Sequence, residues 1–291
     1  MRISYLGCIA LLSVVVLQSC GGSKKTKTKN LQPGTWQATP VLIDGDSKDW
    51  PSPYPNYDSK SKIAYATSND GKFLYITMET GDELTEMKIA KAGMIVSIDT
   101  GGGKDAGFNI NFPLQNDNAD IEVPQHEKGG GDASTRLGKQ LSKSINKAID
   151  QAGQFSLDGF PGCNGGYVVS QVTPCGIKVR ARIDEYKELV WEAAIPIKAL
   201  YNKDQLSAAD AGRPISVCFQ VKALKAPKSK EGDNGGGAMN SGMGSNSSMG
   251  GRGGGRGGQG GAPRTKQAEN PMAHLYLATK TWKHFTLVYQ Q

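Results

Sequence analysis

The sequence predicts a mainly β protein, an antiparallel β-sandwich with one or two short helices and a long disordered Gly-rich loop insertion. Three observations predict it. Apolar and polar residues alternate with period two in several segments, as in strands with one buried face. Turn signals built from Asp, Gly and Pro separate those segments. Only one stretch spaces its apolar residues at three and four, as a helix does. The chain has 291 residues, 37% of them hydrophobic, enough for one sizeable core. That composition excludes a wholly disordered chain and a polytopic membrane protein.

The elements follow in order. Arg2 precedes an apolar run from Ile3 to Leu17, which is short for a membrane span and flanked like an export signal. The run ends in Leu17-Gln18-Ser19-Cys20, which resembles a bacterial lipobox. Small residues before such a cysteine admit the signal peptidase, and the thiol receives the lipid. Residues 1–19 are therefore the expected signal peptide and Cys20 the expected lipidation site, giving a membrane anchor rather than a span. Gly21 stands where an aspartate would signal inner-membrane retention in many Gram-negative systems, so the expected location is the outer membrane, periplasmic or surface-facing. Residues 20–35 read as the lipidated cysteine and a basic tether carrying Lys24, Lys25, Lys27 and Lys29. A single domain is expected over 36–291.

Within it, Ile63–Thr67 and Phe73–Met78 flank Asn69-Asp70-Gly71-Lys72, the pattern of a hairpin. Phe73–Met78, Met94–Ile98 and Leu189–Ile195 are apolar on both faces, as central strands are. Leu137, Leu141, Ile145, Ala148 and Ile149 mark the one clear helix, with Arg136, Lys139, Lys143 and Lys147 on its solvated side. Pro174-Cys175-Gly176 separates Tyr167–Val172 from Ile177–Ile183 and suggests a second hairpin. A short helix is expected after Pro196, over Ile197–Tyr201. Ile215, Val217, Phe219 and Val221 alternate with polar residues, and so do Phe285, Leu287 and Tyr289 near the C-terminus.

Residues 225–266 lack periodicity, and about half of the stretch from Gly232 to Ala262 is glycine. Such a segment buries too little apolar surface to offset its ordering entropy, so a disordered insertion is expected. A long loop is tolerated because closure entropy grows only with the logarithm of length. The formal net charge of +7 resides in the tether and this insertion, which leaves the folded body net acidic. That distribution argues against a nucleic-acid partner. Arg252 and Arg256 lie in glycine with no neighbouring aromatic residue to stack on a base.

Four segments in order resemble the carbohydrate-binding module family 9-like (DOMON-related) domains. Val41-Leu42-Ile43-Asp44-Gly45-Asp46-Ser47-Lys48-Asp49-Trp50 is similar to their opening "IDG…DW". Asn69–Ile76 resembles their second segment, and Gly93–Asp99 their strand ending in an aspartate. Glu192–Leu200 resembles their "E…IP…L" segment. The resemblance implies a β-sandwich of the kind often appended to exported glycan-active proteins, sometimes with calcium bound; the expected protein is non-catalytic, with a poly- or oligosaccharide as partner. A related branch holds haem, and the characterised sugar binders clamp a sugar between two tryptophans.

Sugar binding needs exposed aromatic faces with polar groups nearby. Trp50 and Trp191 read as packing residues, so Trp282, Tyr54 and Tyr57 are the candidate ligand-binding residues. Calcium needs about six to eight oxygen ligands. The candidates are Asp99 and Asp105, with Asp44, Asp46 and Asp49, or Asp117 and Asp120, as further acidic turns. His126, His274 and His284 are scattered and match no zinc or nucleophile pattern. Besides Cys8 and Cys20, the cysteines are Cys163, Cys175 and Cys218. An exported chain permits one disulfide. Proximity favours Cys163–Cys175, provided the loop around Pro161–Gly166 folds back; Cys218 paired with either is the alternative. Two other functions compete with sugar binding: an envelope assembly lipoprotein that uses the sandwich for protein docking, and a glycan-active enzyme.

Overall fold

A computed structural model describes residues 31–122, 131–225 and 273–290, with the backbone alone for 131–137 and 273. The signal peptide, Cys20, most of the tether, His126 and all but the first residue of the Gly-rich insertion lie outside the described residues. The compact unit begins at Gln32, so the last residues assigned to the tether belong to the fold.

The elements are β1 (Gln32–Pro33), β2 (Thr35–Trp36), β3 (Asn56–Asp58), β4 (Ile63–Asn69), β5 (Phe73–Thr80), α1 (Glu83–Ala92), β6 (Met94–Asp99), β7 (Phe108–Asn111), α2 (Gly131–Asp150), β8 (Gln154–Asp158), β9 (Gly165–Val168), β10 (Lys178–Ile183), β11 (Leu189–Pro196), α3 (Ile197–Tyr201), β12 (Pro214–Val221) and β13 (Thr279–Thr286). The protein is mostly β, in two sheets. The seven-stranded sheet runs β1-β13-β12-β6-β7-β8-β9. The six-stranded sheet runs β10-β11-β5-β4-β2, with β3 also paired to β4. Pairing is antiparallel except for β1 with β13 and β2 with β4. Those two exceptions arise because one extended N-terminal segment lies along an edge of each sheet in turn.

The main core fills the space between the sheets. Leu74, Ile76 and Met78 of β5 and Trp191, Ala193 and Ile195 of β11 face Val96 and Ile98 of β6 and Val217 and Phe219 of β12. Leu141, Ile145 and Ile149 of α2 join this core, while Lys139, Lys143 and Lys147 face solvent. The helical spacing read from sequence therefore divides the helix correctly between core and water. Trp191 is buried and its indole N–H donates to the Phe112 carbonyl at 3.0 Å. Among the described residues no helix is long and apolar enough to cross a membrane.

Two expectations are corrected. Among the described residues the α-helices number three, and α2 has 20 residues rather than being short. Helix α1 carries clear end signals: Asp82 accepts from the Thr85 N–H at 3.0 Å, and Gly93 closes it at φ +84°. At Gly93 a Cβ would lie 2.5 Å from the Pro113 carbonyl oxygen, so no side chain fits there. The helix escapes periodicity analysis because it is buried nearly all round, Glu86 and Lys88 included. Lys88 is accommodated by donating to the His274 and Leu277 carbonyls at 3.1 and 2.8 Å.

The second hairpin does not form. Strand β9 ends at Val168 and belongs to the seven-stranded sheet, whereas β10 belongs to the other. Between them the chain turns back, and Cys163 and Cys175 are disulfide-bonded with Cα atoms 5.9 Å apart. Cys218 is a buried free thiol. In the first hairpin, Gly71 does not take a positive φ, so the turn is not the two-residue type I′ form. Asp70 shapes it instead, its Oδ1 accepting from the Lys72 and Phe73 N–H groups at 2.6 and 2.7 Å.

Candidate functional site

The segments 41–50 and 192–200 meet on the outer face of the six-stranded sheet. Glu192 of β11 is fully buried there. Its Oε1 accepts from the Trp50 indole N–H at 2.6 Å, and its Oε2 from the Gly45 and Asp44 N–H groups at 2.7 and 3.1 Å. Gly45 sits at φ +82°, and a Cβ there would lie 2.6 Å from the Arg182 Cβ. The loop thus lies flat on the sheet, and Val41, Trp50, Ala66, Tyr75 and Ala194 form a second, smaller core beneath it. This hub is a fastening, with every Glu192 contact made to the chain's own donors. Burial pushes the Glu192 carboxyl up to about 7, against the pull of those donors.

Three further carboxyls are displaced in the same direction, Glu83 among them through burial and the neighbouring Asp82. Burial, then the facing Glu188, raises Glu79 to about 7. Burial raises Glu86 to about 7, and its Oε1 has no hydrogen-bond partner among the described residues.

The acidic turns are also fastenings. Asp99 Oδ1 accepts from the Gly101 N–H at 2.7 Å, and Oδ2 from the Asp105 N–H at 2.8 Å. Asp105 therefore meets Asp99 through its backbone, not through a second carboxylate. Asp46 binds Lys48, Asp49 accepts from the Leu42 N–H, and Asp117 binds Gln115 and Lys225. Among the described residues no three His, Cys, Asp or Glu side chains are placed to hold a metal ion. The residues present do not fit calcium, which corrects the expectation for Asp99 and Asp105.

The three aromatic candidates do not converge. Tyr54 is half-buried against the smaller core, and its hydroxyl pairs with Thr77 Oγ1 at 3.2 Å. It is a packing residue, and burial pushes its phenol well above the usual range. Tyr57 is 66% exposed and pairs in register with Ala64 on β4, on the outer side of the six-stranded sheet. Trp282 lies on the outer side of the opposite sheet, because its β13 neighbours Thr281 and Phe285 are the buried ones. Of the other tryptophans, Trp50 and Trp191 are buried. Trp36 packs edge-on against Tyr289, with centroids 6.3 Å apart, so that pair does not flank an open cleft.

Trp282 belongs to a larger arrangement. Register places Trp282, Cys218, Ser97, Asn109 and Asp158 in one row across β13, β12, β6, β7 and β8. The next row carries Lys280, Gln220, Ile95, Asn111 and Ser156. On the other side, His284 stands opposite Ser216. The Trp282 and His284 rings are near-parallel, 16° apart with centroids at 6.3 Å. The amides are held in place: Ser97 Oγ donates to Asn109 Oδ1 at 2.7 Å, and Lys222 Nζ to Asn111 Oδ1 at 2.9 Å. The 99–107 loop borders the face, its Gly102 and Gly103 carbonyls meeting His284 Nδ1 and Ser216 Oγ. The face therefore sets the half-buried Trp282 and His284 rings beside the amides of Asn109, Asn111 and Gln220, while Ser97, Ser216 and Cys218 between them are buried. Chemically it offers an apolar surface for a sugar ring beside amide donors and acceptors for hydroxyl groups.

Sequence reasoning named Trp282 but missed Ser97, Asn109, Asn111 and Gln220. Each sits at an outward position of its strand, which alternation could have flagged. That these strands are neighbours is not local information. A cavity away from this face holds about 480 Å³ and is lined by residues including Pro113, Gln115, Asn116, Gln151 and Gln154. It has amides but no aromatic platform. No protein-family model matches the chain, and no curated protein matches it.

Proposed function

We propose that this chain is an exported, lipid-anchored, non-catalytic protein that binds a poly- or oligosaccharide on the outer face of its seven-stranded sheet. The observation that carries this is the row from Trp282 through Ser97 to Asn109, an aromatic ring in register with fixed polar groups on a rigid sheet. Sites on strands hold their groups more precisely than sites on loops. The lipobox at Leu17–Cys20 supports export and anchoring at the outer membrane, and the four ordered segments support a family 9-like sandwich. A glycan array probed with the purified protein tests the reading; binding to one glycan class supports it, and no binding to any member overturns it.

A second reading, protein docking in envelope assembly, is favoured by one observation. Leu42 is 65% exposed and Tyr186 74% exposed, and both border the loop clamped by Glu192. Crosslinking in intact cells through a photoreactive residue at position 186 tests it; a reproducible protein partner supports docking, and none removes it.

A further inference from the structure

The polar face carries positive charge without a matching negative one. Lys222 follows β12 and is half-buried, with Nζ turned onto Asn111 Oδ1. An ammonium has three donors, and Asn111 takes one. Burial lowers the Lys222 pKa. Lys280 stands in register with Gln220 in the adjoining row. Lys104, from the bordering loop, and Lys280 both lie close enough to the Cys218 thiol for their charges to act on it. Among the described residues none of these three lysines enters an ion pair.

The carboxylates nearby do not compensate. Both Asp99 oxygens are committed to backbone N–H groups of its own turn. Asp158 is at the far end of the Trp282 row, beside Asn109. Lys104 and Lys280 are exposed, whereas Lys222 is half-buried; removing that cation from water without a counter-charge is unfavourable, and an arriving carboxylate relieves it. Lys222 is four residues along from Cys218, the strand partner of Trp282, which is about 13 Å at about 3.3 Å per residue. One saccharide chain can therefore stack on Trp282 and present one charged group to Lys222, at the β7 side, and another to the exposed Lys280 on β13.

We infer that this face selects an acidic glycan, a saccharide whose carboxylate groups are held by Lys222 and Lys280 while a ring packs on Trp282; this rests on reading the face as the sugar-binding surface. The experiment is an array of uronate-containing and neutral glycans, followed by titration of each hit and of its methyl-esterified form. Acidic members bind, esterification weakens binding at least tenfold, and Lys222→Met abolishes most of that preference without lowering Tm. The unchanged Tm separates lost recognition from lost fold. Binding restricted to neutral glycans, or unaffected by esterification, overturns the acidic selectivity and leaves the sugar-binding face intact if Trp282→Ala still weakens it. No binding to any glycan overturns both.

Discussion

Glu192 and Trp50, 142 positions apart in the chain, are joined by a 2.6 Å hydrogen bond from the indole N–H to the buried carboxyl. The contact fixes an N-terminal loop onto the outer face of a sheet formed much later in the sequence. It explains why Gly45, Trp50 and Glu192 belong to one pattern: the glycine allows close approach, the indole and two amides donate, and one carboxyl accepts.

Removing that acceptor leaves the Trp50 indole and two backbone amides unpaired inside the smaller core. Unpaired buried groups cost about 1–3 kcal/mol each before relaxation. Glu192→Ala should therefore lower the unfolding free energy by roughly 2–4 kcal/mol. Urea unfolding measures it, and proteolysis within residues 37–55 should accelerate in the variant.

Stability should fall as pH rises through the weakly acidic range. Glu79, Glu86 and Glu192 have an ordinary value of 4.5 and are raised to about 7 in the fold. Between those values the folded state binds more protons than the unfolded state, so raising pH destabilises it. Their surroundings reinforce this: Glu188 and Asp184 face Glu79, Asp82, Glu83 and Glu188 face Glu86, and Asp44 faces Glu192. The lowered carboxyls, such as Asp210 at about 2, act only at lower pH. Thermal unfolding should show a higher Tm near about pH 5 than near about pH 8.

The Cys163–Cys175 bond closes a loop of sequence separation 12. Replacing both cysteines by alanine should cost about 3 kcal/mol. Peptide mapping without reduction should join those two residues. The Cys218 thiol should react with an aromatic disulfide reagent only after unfolding, since it is 2% exposed and burial raises its pKa.

The proposed lipid anchor is testable in cells. Labelled palmitate should enter the wild-type protein and not Cys20→Ala, which should also leave the membrane fraction.

Much of the sandwich is legible because a strand with one wet face must alternate, as Lys178–Ile183 does, and because central strands such as Leu189–Ile195 are buried on both faces and apolar apart from Glu192. Helix α1 is not legible by the same means, since burial all round removes its contrast. The candidate site is half legible. Trp282, Tyr54 and Tyr57 are equal candidates by residue type, and only the register of Tyr57 and the Thr77 contact of Tyr54 show that these two lie on the other sheet. Ser97 and Asn109 become partners of Trp282 through three strand pairings, none of them recorded in local sequence.

The central claim is that sugar binds on the Trp282 face, and titration calorimetry of an array-identified glycan against three variants tests it most directly. Trp282→Ala should weaken binding by tenfold or more, about 1.4 kcal/mol. Tyr57→Ala, on the opposite surface, should leave affinity unchanged, and Asn109→Ala should weaken it with little loss of Tm. A wild-type affinity retained by Trp282→Ala, or lost in Tyr57→Ala, would contradict the account.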